Sequence, residues 1–128
     1  MPPARREAGL HHGSRRQQTA VCANAARGGR LLPQVEWLLG DATHMLKTLE
    51  GPFDFVLLDL WKNLYVPCLD LFYGKLAKNA VIVADNMLFP EVVRADAEAY
   101  RAAVKAKGNL QSVLLPIGNG IELSCLWN

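Results

Sequence analysis

Two apolar runs that each end in an acid constrain the fold of this chain more than anything else in it. They are Phe53-Asp54-Phe55-Val56-Leu57-Leu58-Asp59, continued by Leu60-Trp61-Lys62, and Ala80-Val81-Ile82-Val83-Ala84, continued by Asp85-Asn86. Near-continuous apolar runs of this length are how buried strands of a parallel sheet read, and the C-terminal ends of such strands are where open α/β sheets place ligands. Asp59, Asp85 and Asn86 then present hard oxygen atoms to one locality, with the amine of Lys62 beside them. That combination reads as a divalent-metal site with a base attached.

A chain of 128 residues, 51% of them apolar, holds one modest core and no second full domain. Its charge is uneven: six Arg and one Glu fall in residues 1–30, against eight basic and eleven acidic side chains in residues 31–128. Arg5, Arg6, Arg15 and Arg16, with His11 and His12, make the start basic, but the acidic body offers no matching basic stripe, which argues against nucleic acid as a partner. No apolar run nears the roughly 20 residues of a membrane span, and no secretory h-region follows Met1. Cys22, Cys68 and Cys125 are odd in number and lack CxxC spacing, so they read as apolar thiols of a reducing compartment. The start is too weakly amphipathic for a mitochondrial targeting helix, and the expected setting is cytoplasmic.

Residues 1–19 read as a basic, disordered leader and residues 20–128 as one α/β domain. Thr19 is placed to cap a short Ala-rich helix through Arg27, closed by Gly28-Gly29. Val35–Leu39 reads as a strand stopped by Gly40, after which Asp41 or Thr43 caps a helix to about Leu49. Gly51-Pro52 turns into the strand Phe53–Asp59. The spacing of Leu64, Cys68, Leu71 and Phe72 predicts a helix over Asn63–Ala77, ended by Lys78-Asn79, and the strand Ala80–Ala84 follows. Pro90 suits a first helical turn, and Val93, Ala97, Tyr100 and Val104 carry that helix to about Lys105. Two last strands, Ser112–Ile117 and Ile121–Leu126, flank the hairpin signal Gly118-Asn119-Gly120. The predicted class is α/β, with parallel strands and a C-terminal antiparallel hairpin.

Each residue singled out has a structural reading beside the chemical one. Asp59 is a strand-end capping acid or a metal ligand; Asp85-Asn86 repeats the situation one strand later, and the three oxygens together suit Mg²⁺. Lys62 is a surface lysine at a helix start or a base, three residues after Asp59 and so able to share its crevice. Trp61 is a wall for an aromatic substrate or packing. Asp41-Ala42-Thr43 is a helix cap or a contact for a base or ribose. His44, Tyr65 and Tyr73 read as structural, and Glu122 as the end of a strand face. A metal-dependent hydrolase is the weaker alternative, because no His base or second metal cluster accompanies the acids.

These motifs, in this order, resemble the C-terminal portion of the Mg²⁺-dependent S-adenosylmethionine O-methyltransferases, the family of catechol and caffeoyl-coenzyme A O-methyltransferases. Leu58-Asp59-Leu60-Trp61-Lys62, with Tyr65 and Pro67 behind it, looks like the catechol type of the strand-end motif; the caffeoyl-coenzyme A type usually carries a second acid where Trp61 stands. Ala84-Asp85-Asn86 resembles the other metal motif, Gly40-Asp41-Ala42 the adenine-side turn, and the stretch from Ser112 to Leu123 the last hairpin of bacterial members. The resemblance implies a partial Rossmann-like methyltransferase sheet, S-adenosylmethionine and Mg²⁺ as cofactors, and a small phenolic or catechol-like acceptor. By the same resemblance Asp59, Asp85 and Asn86 bind the metal, Lys62 with Asp59 is catalytic, and Gly40, Asp41, Ala42, Asp59 and Trp61 face the cofactor. Lys62 takes the proton of the reacting hydroxyl, whose oxygen then attacks the sulfonium methyl. The family's substrate-gripping acid has no match, since Val113 stands in that region.

The family's first strand with its Gly-rich loop, and the acid after its second strand, are absent from this sequence. In the family's sheet those two strands lie between the counterparts of Val35–Leu39 and Phe53–Asp59. The chain therefore reads as a truncated methyltransferase whose leader, or a second copy in a homodimer, covers the strand edge left open. Two functions follow: an O-methyltransferase, or a non-catalytic remnant that self-associates or binds a protein partner.

Overall fold

The computed structural model describes residues 5–12, 18–25 and 35–127, with side chains for Glu36 and residues 38–127. Among the described residues seven strands form one sheet: β1 (Arg5–His12), β2 (Gln18–Ala25), β3 (Val35–Leu39), β4 (Phe53–Asp59), β5 (Leu76–Ala84), β6 (Leu110–Leu115) and β7 (Ile121–Leu126). Their order across the sheet is β3-β2-β1-β4-β5-β7-β6. β1, β4 and β5 pair in parallel, β2 is antiparallel to both β1 and β3, and β7 is antiparallel to β5 and β6. The predicted α/β class with a C-terminal antiparallel hairpin is what the sheet shows.

The order 3-2-1-4-5 is that of doubly wound nucleotide-binding sheets, with the ligand crevice at the strand ends where the order reverses. Here the reversal lies between β1 and β4. One feature departs from that plan: the next strand in the chain, β2, pairs antiparallel with β1.

Three helices follow from local chemistry. α1 (Ala42–Thr48) starts where the Asp41 carboxylate accepts from the His44 amide at 3.0 Å, and its last carbonyls, of Leu46 and Leu49, accept from Lys75 Nζ at 2.6 and 2.7 Å. α2 (Tyr65–Phe72) and α3 (Arg94–Ala106) each begin after a single 3₁₀ turn. α1 packs on α2 and α2 on α3, making one layer. Beneath it, alternate strand residues are buried: Val56 and Leu58 of β4, Ala80, Ile82 and Ala84 of β5, Ser124 and Leu126 of β7. They join Leu46, Leu69, Phe72, Tyr100 and Val104 in the core, each large apolar side chain worth about 1.5–3 kcal/mol when fully buried.

The alternate residues on the other face, Phe55, Leu57, Val81, Val83 and Leu123 among them, are only partly buried. Among the described residues no helix covers that face, so the reading of β4 and β5 as strands buried on both sides is corrected to burial on one.

Two strands stand where composition predicts a disordered leader at residues 1–19 and a helix from Thr19 to Arg27. Local helix preference and polarity yield to pairing, because β4, the most apolar strand, otherwise presents an open row of backbone donors and acceptors. The expectation that the leader covers this edge matches the β1–β4 register, Glu7 opposite Phe55 to His11 opposite Asp59. Arg15, Arg16, Gly28 and Gly29 lie outside the described residues. The predicted helix over Asn63–Ala77 is shorter than expected, since β5 begins at Leu76. Lys78-Asn79 sits inside that strand: Asn79 adopts φ +60° and the register against β4 shifts between Phe53 and Phe55. No helix among the described residues is long and apolar enough to cross a membrane.

Candidate functional site

Parallel pairing carries the two acidic motifs to one spot. β4 ends at Asp59 and β5 at Ala84, and the Asp85 amide donates to the Leu58 carbonyl at 3.0 Å, extending the ladder by one bond. Asn86 then turns away in the left-handed region, φ +56°, which asparagine tolerates better than most residues. Its backbone amide donates to Asp85 Oδ1 at 2.7 Å and its side-chain Nδ2 lies 3.4 Å from Asp59 Oδ1. Asp59, Asp85 and Asn86 are thereby brought together.

Lys62 belongs to the same cluster and is 5% exposed, so the reading of a surface lysine is excluded. Its Nζ donates to the Asp85 carbonyl and stands 3.8 Å from the centre of the Tyr65 ring. Burial pulls its pKa down to about 8, against the pull of the Asp85 and Asp59 carboxylates. Trp61, next door, is 54% exposed, which removes it from the core.

Gly40, Asp41 and Ala42 do not join this cluster. They follow β3, and with β2 and β1 interposed they lie about three strand spacings, roughly 14 Å, from β4. Asp41 serves the α1 cap, accepting from Thr43 Oγ1 at 2.5 Å as well as from His44; these bonds hold its carboxyl below the ordinary range. Ala42 is buried in the core.

Two residues of the site carried no chemical signal in the sequence. Tyr65, read there as packing, is buried, and its hydroxyl donates to the carbonyls of Leu58 and Asp85, each at 2.9 Å, tying the ends of β4 and β5 together. Asn119, read as a turn residue, donates from Nδ2 to Asn86 Oδ1 at 3.2 Å. Its turn also braces the Asp85–Asn86 loop, with the Met87 amide on the Gly120 carbonyl at 3.0 Å and the Leu88 amide on the Asn119 carbonyl at 2.8 Å. Glu122, read as a strand end, is buried and accepts from Arg101 Nε at 3.0 Å and Ser112 Oγ at 2.5 Å, on the helix side and away from the acids.

The brace yields a test. Gly120 has φ +89°, and a Cβ there would lie 2.6 Å from Leu88 Cγ and 2.8 Å from its amide nitrogen. Gly120→Ala is expected to cost about 2–3 kcal/mol, lowering Tm by on the order of 10 °C in thermal denaturation. Gly118→Ala, at φ +56° with nothing within 4 Å, is expected to cost about 1 kcal/mol.

Among the described residues no group of three His, Cys, Asp or Glu side chains is placed to hold a metal ion. The candidate donor set is two carboxylates and one amide, all hard oxygen donors of the kind Mg²⁺ takes while keeping waters for a substrate to replace. The Asn86 amide oxygen faces Asn119 and its nitrogen faces Asp59, so its oxygen would turn toward Asp59 only after a half-turn about its own amide axis.

No protein-family model and no curated protein matches the chain. Solved structures do. The cofactor-bound protein Rv0187 from MTB superposes with TM-score 0.68 at 24% identity, covering 77% of this chain and 52% of that one. The SAH-bound methyltransferase PaMTH1 of Podospora anserina gives 0.61 at 23% identity, covering 70% and 47%. The O-methyltransferase TomG of Streptomyces achromogenes, solved with SAM, gives 0.61 at 19% identity, covering 70% and 48%. The chain shares the fold of these structures, two of them methyltransferases, and spans about half the length of each.

Proposed function

We propose that this chain carries the acceptor-activating half of an S-adenosylmethionine- and Mg²⁺-dependent O-methyltransferase site, acting on a catechol-like or other phenolic hydroxyl in the cytoplasm. The observation that carries the proposal is the convergence of Asp59, Asp85, Asn86 and buried Lys62 at the ends of adjacent parallel strands. Asp59, Asp85 and Asn86 would hold Mg²⁺, whose charge lowers the pKa of a bound hydroxyl. Lys62 Nζ, desolvated and fixed between the Asp85 carbonyl and the Tyr65 ring, accepts the proton of the acceptor hydroxyl. Trp61 offers its exposed face to the aromatic ring of the acceptor.

The donor side fits less well. Dinucleotide-type sites cradle their cofactor at a Gly-rich turn feeding a helix N-terminus after the first strand, whereas β1 here leads into antiparallel β2. That hairpin favours the second reading, a non-catalytic remnant that associates with itself or a protein partner. Transfer of labelled methyl groups to a catechol, with and without Mg²⁺, separates the two. Catalysis predicts Mg²⁺-dependent product that falls by about 10²–10⁴-fold in Lys62→Ala; no product under any condition leaves the remnant.

A further inference from the structure

We infer that the cleft between α3 and the last two strands is a second binding site, one that takes the oxyanion group of a small organic molecule. The cleft encloses 560 Å³, within the roughly 300–1,000 Å³ of small-molecule sites. Arg101 and Lys105 of α3, Leu110 and Ser112 of β6, and Glu122 of β7 line it. None of Asp59, Lys62, Asp85 and Asn86 does, so the cleft is separate from the acidic cluster.

The polarity at its base is out of place in a core. The β7 residues buried toward the helices are Glu122, Ser124 and Leu126, and Ser112 stands opposite Ser124 on β6. Ser112 Oγ spends its hydrogen on Glu122 Oε1 at 2.5 Å, so the Ser124 hydroxyl, 2.8 Å away, donates to Ser112. The other carboxylate oxygen, Oε2, accepts from Arg101 Nε at 3.0 Å. An ion pair whose only task was to tie α3 to β7 would be matched or bettered in stability by apolar side chains of similar volume. This chain of bonds does something apolar side chains do not: it holds a guanidinium by one edge.

Glu122 is 2% exposed, while the Arg101 side chain is 46% exposed at the cleft. Arginine presents its N–H donors in a flat fork, and Glu122 engages only the Nε end of it. Among the described residues neither Nη group of Arg101 has a hydrogen-bond partner, and Lys105 Nζ has none either. Lys105 follows Arg101 by four residues, which puts both on one face of α3. A fork with a point charge beside it is the donor set that receives a carboxylate or phosphate group, bidentate on the arginine. Two cations against one acid leave the cleft net positive. Because Glu122 fixes Arg101 in advance, less rotamer freedom is lost when the anion arrives.

The test is titration of the full isotope-labelled chain with inorganic phosphate and, separately, with acetate, followed by proton–nitrogen correlation spectra. Concentrations from about 0.1 to about 30 mM bracket millimolar dissociation constants. Sodium chloride holds the ionic strength at about 0.15 M, where exposed charges are screened beyond about 8 Å. The expected result is a saturable shift of the Arg101 Nε–H signal and of the Lys105 and Ser112 amides with at least one anion, and the tighter of the two identifies the group as phosphate or carboxylate. Lys105→Ala removes an exposed, unpaired side chain and is expected to weaken binding about 3–5-fold. Arg101→Lys keeps a cation for Glu122 but loses the fork, and is expected to weaken binding at least about 10-fold. Lys47→Ala removes the same charge from α1, outside the cleft, and leaves binding unchanged. No saturable shift with either anion, a folded Arg101→Lys that binds like the wild type, or equal losses in Lys47→Ala and Lys105→Ala overturns the proposal. Should Arg101→Lys fail to fold, the comparison of the two lysine variants decides.

Discussion

Asp85→Ala is expected to abolish the saturable Mn²⁺ or Mg²⁺ binding predicted for the wild-type chain, a loss of at least about 100-fold, given that even an outer-shell partner of a metal ligand is worth about 10–100-fold. The backbone at this position is fixed by bonds the substitution leaves alone: the Asp85 amide on the Leu58 carbonyl, and the Asp85 carbonyl receiving Lys62 and Tyr65. The effect is therefore confined to the carboxylate. Asp85→Asn keeps an acceptor for the Asn86 amide and removes the charge, so it falls between the two. Asp41→Ala, on the far side of the sheet's strand order, costs about 1 kcal/mol of helix capping and leaves the metal isotherm unchanged. Calorimetry or the Mn²⁺ spin-resonance signal reads all four proteins, and equal binding by the wild type and Asp85→Ala, or none by either, ends the metal assignment.

What the sequence discloses and conceals about this site follows from how each residue acts. Asp59, Asp85 and Asn86 are legible because an acid at the end of an apolar run conflicts with its surroundings, and such conflicts mark function. β4 and β7 were read to the residue because an apolar run and its flanking turns agree in each. Tyr65 and Asn119 were missed for one reason. Each acts through a single side-chain atom on groups 20 or 33 residues away, and each also satisfies a local rule, an amphipathic helix for Tyr65 and a hairpin turn for Asn119. A residue that obeys its local pattern leaves no trace of a second duty.

The N-terminal third misleads in the opposite sense. Its polarity and Ala content suggest coil and helix, yet residues 5–12 and 18–25 form strands, because the edge of β4 outweighs local preference. The bare face was hidden for a related reason. Continuous apolar runs do not say which of their two faces is covered, and only the placement of α1, α2 and α3 on one side reveals that half of each run remains partly exposed.

Titration of the isolated chain with S-adenosylmethionine is expected to show no micromolar binding. The cofactor is long, and its reacting methyl must be held about 3 Å from the attacking oxygen before any activation of the acceptor counts. In sheets of this order that placement comes from backbone amides at a Gly-rich turn and the helix N-terminus behind it, at the end of the first strand. β1 reaches the right edge of the sheet, its His11 opposite Asp59, and then reverses into β2 five residues later. Of the residues assigned to the cofactor, Asp59 and Trp61 lie at or beside the acidic cluster, while the adenine-side turn is distant and already engaged: Asp41 is committed to Thr43 and His44, and Ala42 is buried. Micromolar binding to a monodisperse 128-residue monomer overturns this expectation and makes Lys62→Ala the next measurement. Binding that appears only in an oligomer instead assigns the donor wall to a neighbouring copy.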